Sequence, residues 1–108
     1  PLWNAHNNLV MWKVYLHDSP YPAPPPPYAS PMHRNDLQGL APAYIECVEF
    51  DPLRDEALAY GEALSNAGVE VRQFMIDAAV HGYDHVDCEI STQGKTQRLA
   101  HMKSMLCD

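Results

Sequence analysis

A carboxylate and an imidazole lie thirty residues apart in the second half of the chain, at Asp51 and His81. A carboxylate that is hydrogen-bonded to one ring nitrogen of a histidine holds the ring in the tautomer whose other nitrogen can accept a proton. The same carboxylate stabilises the imidazolium that forms after proton transfer. If the fold brings these two side chains together, they can act as a general base and its orienting acid.

Two short segments that precede these residues have the composition of β-strands. Residues 43–50 (AYIECVEF) are a mostly apolar run bounded by prolines, which is typical of a buried strand. Residues 69–76 (VEVRQFMI) alternate in polarity and are rich in β-formers, which predicts a second strand. Asp51 directly follows the first strand, and His81 lies in the loop that is predicted after the second.

A helix is predicted between the two strands. Asp51 is a favoured N-cap, Pro52 is tolerated at the first helical position, and Gly68 is a natural C-terminal cap. A strand, a helix and a strand within about 33 residues have the size of one right-handed crossover, which makes the strands parallel neighbours. Reactive groups in such sheets gather beyond the carboxyl ends of the strands. We therefore expect Asp51 and His81 to emerge at the same edge of the sheet.

The remaining stretches predict further helices and a connection. Residues 1–18 suit a short helix packed on something larger. Residues 19–31 hold seven of the ten prolines, which predicts an extended or polyproline-type connection, with a recognition motif for a proline-binding partner as the alternative. Residues 77–93 are predicted to form a loop before a final helix. That helix carries one apolar stripe that we expect to pack into a core, at Leu99, Met102 and Leu106.

Each candidate residue also has a purely structural interpretation. Asp51 is a good helix cap whatever the chemistry, and His81 is followed by Gly82, which permits a tight turn. Asp55 is a rival for the acid, but it lies one turn inside the predicted helix, where a negative charge favours the helix dipole. Glu49 precedes Asp51 by two residues and could be a hydrogen-bonding partner at the end of the sheet. Its role stays open.

A metal site is a further hypothesis, because several potential ligands follow the second strand, namely His81, Asp84, His85, Asp87 and Cys88. The spacing of the two histidines could place both imidazoles on one helical face. However, Gly82 weakens a helix at this place, and no glutamate follows the first histidine as metalloprotease chemistry requires. We therefore assign no metal ligand and no organic cofactor.

The bulk properties of the 108 residues exclude some classes of partner. A formal net charge of −7 disfavours nucleic acid, whose binding needs a basic face. No stretch approaches the roughly 20 apolar residues that span a bilayer, so we expect no membrane partner for this segment. Cys47, Cys88 and Cys107 are too few and too scattered for a disulfide framework, which favours a reducing, cytoplasmic location. The oligomeric state stays open.

The chemistry-bearing residues are part of a longer pattern that resembles a known family. The pattern comprises residues 49–56 (EFDPLRDE), 81–83 (HGY), 28–31 (YASP), 40–43 (LAPA) and 67–69 (AGV). Together these segments resemble the C-terminal signature of the hormone-sensitive-lipase family of α/β-hydrolases, including carboxylesterases similar to arylacetamide deacetylase. The resemblance implies an α/β fold in which this chain is a C-terminal fragment, with a parallel strand–helix–strand unit and a C-terminal helix.

The resemblance also implies catalytic roles for the two residues. In that family the acid and the base of a serine hydrolase triad fall on Asp51 and His81, and the substrate is a small-molecule ester. The order serine, acid, histidine along the chain agrees with this assignment. We divide the chain into a helix and proline-rich connection, residues 1–31, and the C-terminal portion of an α/β-hydrolase domain, residues 32–108.

Two motifs of the family do not occur in the chain. It has no Gly-x-Ser-x-Gly and no His-Gly-Gly run, so the nucleophile and the oxyanion-hole loop have no counterpart here. Because both motifs belong upstream in the family and residue 1 is Pro, we expect a longer parent. The 108 residues alone are expected to be inactive and poorly soluble. A non-catalytic α/β-hydrolase-like binding or interaction module is the alternative function.

Overall fold

Parallel strands and α-helices make up the part of the chain that the computed structural model describes, residues 3–17, 25–26 and 28–106. Their order is α1 (Ala5–Tyr15), a 3-10 turn (Pro31–His33), β1 (Ala43–Phe50), α2 (Arg54–Asn66), β2 (Val71–Val80), a second 3-10 turn (Tyr83–His85) and α3 (Glu89–Leu106). No described helix is long and apolar enough to cross a membrane.

The two strands are parallel neighbours, as the crossover argument predicts. The predicted bounds of β1, residues 43–50, are confirmed at both ends. The prediction for β2 is wrong at both ends, because the strand begins at Val71 and continues to Val80. Asp77 and the two alanines after it are poor β-formers, so the sequence pattern stops at Ile76. Pairing with β1 nevertheless resumes at Val80, because β2 accommodates an irregularity before it.

Helix α2 begins two residues later than predicted, at Arg54 instead of Pro52. Asp51 caps the turn before it, since its Oδ1 accepts the Leu53 N–H at 2.9 Å. The predicted C-terminal end is confirmed: Gly68 has φ 82°, and the Val69 N–H bonds the Leu64 carbonyl at 3.1 Å. This Schellman arrangement places Leu64 and Val69, both buried, at the point where the chain turns back to the sheet.

The core of the described chain lies between the sheet, α2 and the second 3-10 turn. Its buried apolar members are Cys47, Val48, Leu64, Val69, Ala79 and Tyr83. Cys47 is 3% exposed, and burial raises the pKa of its thiol, so this cysteine packs as a small hydrophobe. Cys107 lies outside the described residues.

Helix α3 differs most from the prediction. It begins at Glu89, inside the predicted loop 77–93, and its buried residues are Ser91 and Gly94. The predicted apolar stripe does not pack into the described core: Leu99, Met102 and Leu106 are 59%, 45% and 78% exposed. The helix instead approaches the second 3-10 turn through its small residues. A Cβ at Gly94 would overlap with the Tyr83 hydroxyl, so this close approach requires glycine.

The N-terminal part agrees with the predicted short helix, because α1 spans Ala5–Tyr15 and Asn4 caps it by accepting the Asn7 N–H at 2.9 Å. In the proline-rich segment, residues 19–24 and 27 lie outside the described part. The prediction of an extended backbone up to residue 31 is wrong at its last residue, because Pro31 begins a 3-10 turn. The fixed φ of proline suits the first position of a helical turn. The boundary between 1–31 and 32–108 stays a prediction.

Candidate active site

Asp51 and His81 meet at the carboxyl end of the sheet. His81 Nδ1 lies 2.8 Å from Asp51 Oδ2, and because a carboxylate only accepts, the ring nitrogen is the donor. The Asp51 side chain is 10% exposed, whereas that of His81 is 44% exposed. The carboxylate is thus shielded while the imidazole remains open to solvent. This is the contact that the spacing of the two residues predicts.

The Asp51 carboxylate fulfils both roles that the sequence leaves open for it, namely the cap before α2 and the partner of His81. Its Oδ1 accepts the Leu53 N–H and fixes the turn into α2, while its Oδ2 faces His81. The turn orients the carboxylate, because both oxygens have fixed partners. The rival acid, Asp55, bonds the neighbouring Arg54 at 2.8 Å, and its side chain is 81% exposed. Asp55 therefore takes no part in the contact with His81.

The contact between Asp51 and His81 depends on an irregularity in β2 that the sequence pattern does not predict. Val48 pairs with Ile76, but Phe50 pairs with Val80, so β2 has two more residues than β1 over this interval. Asp51 and His81 directly follow the resumed pairing. Poor strand propensity over residues 77–79 is the signal of this bulge in the sequence, but the same signal also predicts the start of a loop.

The segment after His81 is fixed by a polar cluster centred on Glu46. Gly82 has φ 80° and turns the chain, so that the Tyr83 hydroxyl donates to Glu46 Oε1 at 2.8 Å. Arg98 on α3 donates to Glu46 Oε1 at 2.6 Å and to Asp84 Oδ2 at 3.1 Å. Helix α3 is thereby joined to the turn that carries the histidine. No local pattern indicates this cluster, because Glu46 and Arg98 are 52 residues apart.

The charges of this cluster stabilise one another. Burial opposes ionisation of Glu46, but hydrogen bonds from Arg98, Tyr83 and Tyr44 outweigh it and hold the pKa of the carboxyl below its usual value. The hydrogen bond from Arg98 likewise lowers the pKa of Asp84. Burial, followed by the hydrogen bond to Glu46, raises the pKa of Tyr83 to about 12. At neutral pH the cluster therefore holds two carboxylates, one guanidinium and two neutral phenols.

We expect the ionised carboxylate of Glu46 to contribute to the free energy of unfolding at neutral pH and to lose this contribution in acid. Because the pKa of Glu46 is lower in the folded protein than in the unfolded chain, its contribution is full above the ordinary value of 4.5 and is lost as the pH falls through the folded value. Glu46→Gln should lower the free energy of unfolding by about 1 to 2 kcal/mol at neutral pH. Urea unfolding of the complete gene product should show this difference shrinking as the pH falls below the ordinary value of 4.5. A difference that stays constant with pH would contradict the assignment.

The residues proposed as metal ligands do not gather. In the chain between residues 3 and 106, as far as it is described, no group of three or more His, Cys, Asp or Glu side chains could hold a metal ion. His81 and His85 lie in a turn and a 3-10 segment rather than on one face of an α-helix.

Trp3 is a neighbour of the imidazole that the sequence analysis missed. Its ring centroid lies 6.0 Å from that of His81, with the planes tilted by 34°. Its indole Nε1 is buried and has no hydrogen-bond partner among the described residues. An aromatic side chain from the N-terminal segment thus packs beside the histidine, 78 positions away in sequence.

Comparison with known proteins identifies the family. Residues 1–85 match the model of a family described as alpha/beta hydrolase fold. The Esterase LipI of Mycobacterium tuberculosis is 47% identical over 79 residues, which are 73% of this chain and 23% of that protein. A solved bacterial heroin esterase superposes with a TM-score of 0.93 at 35% identity, over 100% of this chain and 35% of that chain. For the esterase LipW from Mycobacterium marinum the TM-score is 0.91 at 28% identity, over 100% of this chain and 34% of that chain.

The chain therefore spans 23% of that curated relative and 35% of that solved esterase. Within this span the fold class and the resemblance agree with the comparison. The chain belongs to the α/β-hydrolase-fold family, in its hormone-sensitive-lipase-like branch, whose matching relatives are esterases and lipases.

Proposed function

We propose that this chain supplies the acid and the base of a serine-dependent carboxylic ester hydrolase. Asp51 orients the ring and His81 is the general base. The observation that carries the proposal is the 2.8 Å contact between His81 Nδ1 and Asp51 Oδ2, because it leaves Nε2 as the nitrogen that can accept a proton. The names of the matching relatives support an ester as substrate.

The reaction needs a nucleophile from outside these 108 residues. A serine Oγ attacks the acyl carbonyl carbon while His81 Nε2 takes the hydroxyl proton. The bond between the carbonyl carbon and the alcohol oxygen then breaks, and His81 returns the proton to the leaving oxygen. Water attacks the acyl-enzyme with His81 again taking a proton, and that proton goes to the serine oxygen as the carboxylic acid leaves.

The hydroxyl of Ser30 does not supply this nucleophile. It forms a hydrogen bond of 2.8 Å with Nδ1 of His33, three residues later, at the start of the first 3-10 turn. Ser91 is 1% exposed and faces the Asp84 carbonyl. Neither serine stands between glycines on a strand-to-helix turn, which is the geometry that exposes a nucleophile in this fold.

The test compares the complete gene product that contains this chain with the 108 residues alone. The complete product should hydrolyse short-chain p-nitrophenyl esters and react with a fluorophosphonate probe at a serine upstream of residue 1. The isolated chain should do neither above background. A folded complete product that shows no hydrolysis and no labelling would refute the esterase and favour the non-catalytic module. Hydrolysis by the isolated chain that His81→Ala removes would refute the need for an outside nucleophile.

A further inference from the structure

The contact between acid and base requires a change of register within the sheet. From Ala43↔Val71 to Val48↔Ile76 the paired residues differ by 28 positions, whereas Phe50↔Val80 differ by 30. If the first offset continued, Asp51 would lie opposite Ala79. His81 would then stand two residues beyond its observed place, a displacement of about 7 Å along the strand. The two additional residues of β2 are therefore what brings the imidazole to the carboxylate.

The backbone of this bulge is held in an unfavourable conformation. Ala78 has φ 54°, and among residues 3–17, 25–26 and 28–106 no other residue except glycine has a positive φ. A side chain with a Cβ rarely adopts this region, because Cβ approaches the following carbonyl oxygen. Such a conformation persists only where surrounding contacts over-determine it. Ala79, which is 4% exposed, anchors the bulge on the core side, but Ala78 itself is exposed.

Glu49 provides the contact on the exposed side. Its Oε2 accepts the backbone N–H of Ala78 at 2.8 Å. Glu49 is the β1 residue between Val48 and Phe50, so its carboxylate stands where the ladder is interrupted. The Glu49 carbonyl oxygen in turn accepts a hydrogen bond of 2.9 Å from Arg54 Nη1. The start of α2 thus fixes the backbone of Glu49, and the side chain of Glu49 fixes the bulge.

We propose that Glu49 is a positioning residue whose carboxylate holds the β2 bulge in the register that sets His81 against Asp51. Its role rests on the proposed function, but it concerns geometry rather than proton transfer. The role needs a hydrogen-bond acceptor at this position and does not need its charge. It therefore differs from an electrostatic effect on the imidazole, and suitable substitutions separate the two.

The first measurement is the kinetics of the complete gene product on a p-nitrophenyl ester. Glu49→Ala should lower kcat by about 10-fold to 100-fold with little change in KM, because misplacement of a catalytic group affects the chemical step more than binding. Glu49→Gln keeps an oxygen that can accept the Ala78 N–H and should stay within about 3-fold of the wild type. The matched control is Glu70→Ala, which removes a carboxylate paired with Arg72 just before the opposite end of β2 and should have no effect.

The second measurement uses Ala78→Gly, which removes the penalty for positive φ. If Glu49 acts by holding the bulge, Glu49→Ala should cost only about 3-fold in the Ala78→Gly background, so the two substitutions are not additive. This double variant also keeps the test valid if Glu49→Ala alone fails to fold. Equal losses in both backgrounds, or a Glu49→Gln as impaired as Glu49→Ala, would overturn the proposal.

A readout independent of turnover separates this proposal from the proposed function. The proton on His81 Nδ1, hydrogen-bonded to a carboxylate, gives a separate downfield resonance, which Glu49→Ala should weaken or abolish and Glu49→Gln should retain. If the wild type is inactive but this pattern holds, the esterase function fails and the positioning role stands. If the wild type is active and neither kcat nor the resonance responds to Glu49→Ala, the positioning role fails and the esterase function stands.

Discussion

His81→Ala should reduce ester hydrolysis by the complete gene product about 10⁴-fold or more in kcat, with residual turnover from binding and oxyanion stabilisation alone. The expected loss is large because the imidazole takes and returns a proton in both halves of the reaction. The measurement is the steady-state rate on a short-chain p-nitrophenyl ester, together with the rate of labelling by a fluorophosphonate. Both rates should fall, because serine without its base reacts slowly with either reagent.

His85→Ala is the matched control for this substitution. His85 is the same residue type, four positions later and exposed on the second 3-10 turn. It should retain activity within about 2-fold, since exposed substitutions away from the site have small effects. Equal losses in the two variants would indicate a general disturbance of the turn. Full activity in His81→Ala would eliminate the histidine as the base.

Asp51→Asn should lower kcat by about 10⁴-fold while leaving the fold intact. The amide keeps an oxygen that can accept the Leu53 N–H, so the turn into α2 is preserved. Its NH2 group would then face His81 Nδ1 as a donor, which favours the tautomer with the proton on Nε2 and removes the acceptor that the serine requires. Steady-state kinetics together with circular dichroism would separate the catalytic effect from a structural one.

Two further variants test this interpretation of Asp51. Asp51→Ala should lose the same activity as Asp51→Asn and in addition about 1 kcal/mol of stability, because the Leu53 N–H loses its acceptor. Asp55→Asn removes an exposed carboxylate from the same motif and should stay within about 2-fold of the wild type. An Asp51→Asn variant with wild-type turnover would show that Asp51 is not the acid. An Asp55→Asn variant that loses activity would assign that role to Asp55.

The sequence predicted the elements whose signals are local. The apolar run of β1, the cap at Gly68 and the length of the crossover each depend on neighbouring residues, and together they brought Asp51 and His81 to one edge of a parallel sheet. Asp51 and His81 could be singled out as candidates because each stands at the end of a strand, beside a proline or a glycine that marks the turn.

What the sequence did not predict depends on contacts between distant residues. Arg98 bonds Glu46 on a strand 52 residues earlier, and no pattern in either segment indicates the pairing. The apolar stripe of α3 suggested the wrong buried face, because the fit of Tyr83 against Gly94 decides how the helix approaches. The sequence predicts a loop in place of the bulge in β2, since strand propensity is weak there and the Glu49 contact that stabilises the bulge is tertiary.

We infer that the carboxylate of Asp51 holds His81 as the tautomer with its proton on Nδ1. Nuclear magnetic resonance of ¹⁵N-labelled protein measures this directly, because the two ring nitrogens give separate signals and the hydrogen-bonded proton gives its own. We predict a protonated Nδ1 and a bare Nε2 in the neutral wild type, with the downfield proton lost in Asp51→Asn. A neutral ring protonated on Nε2, with identical spectra in both proteins, would show that Asp51 does not set the tautomer of His81.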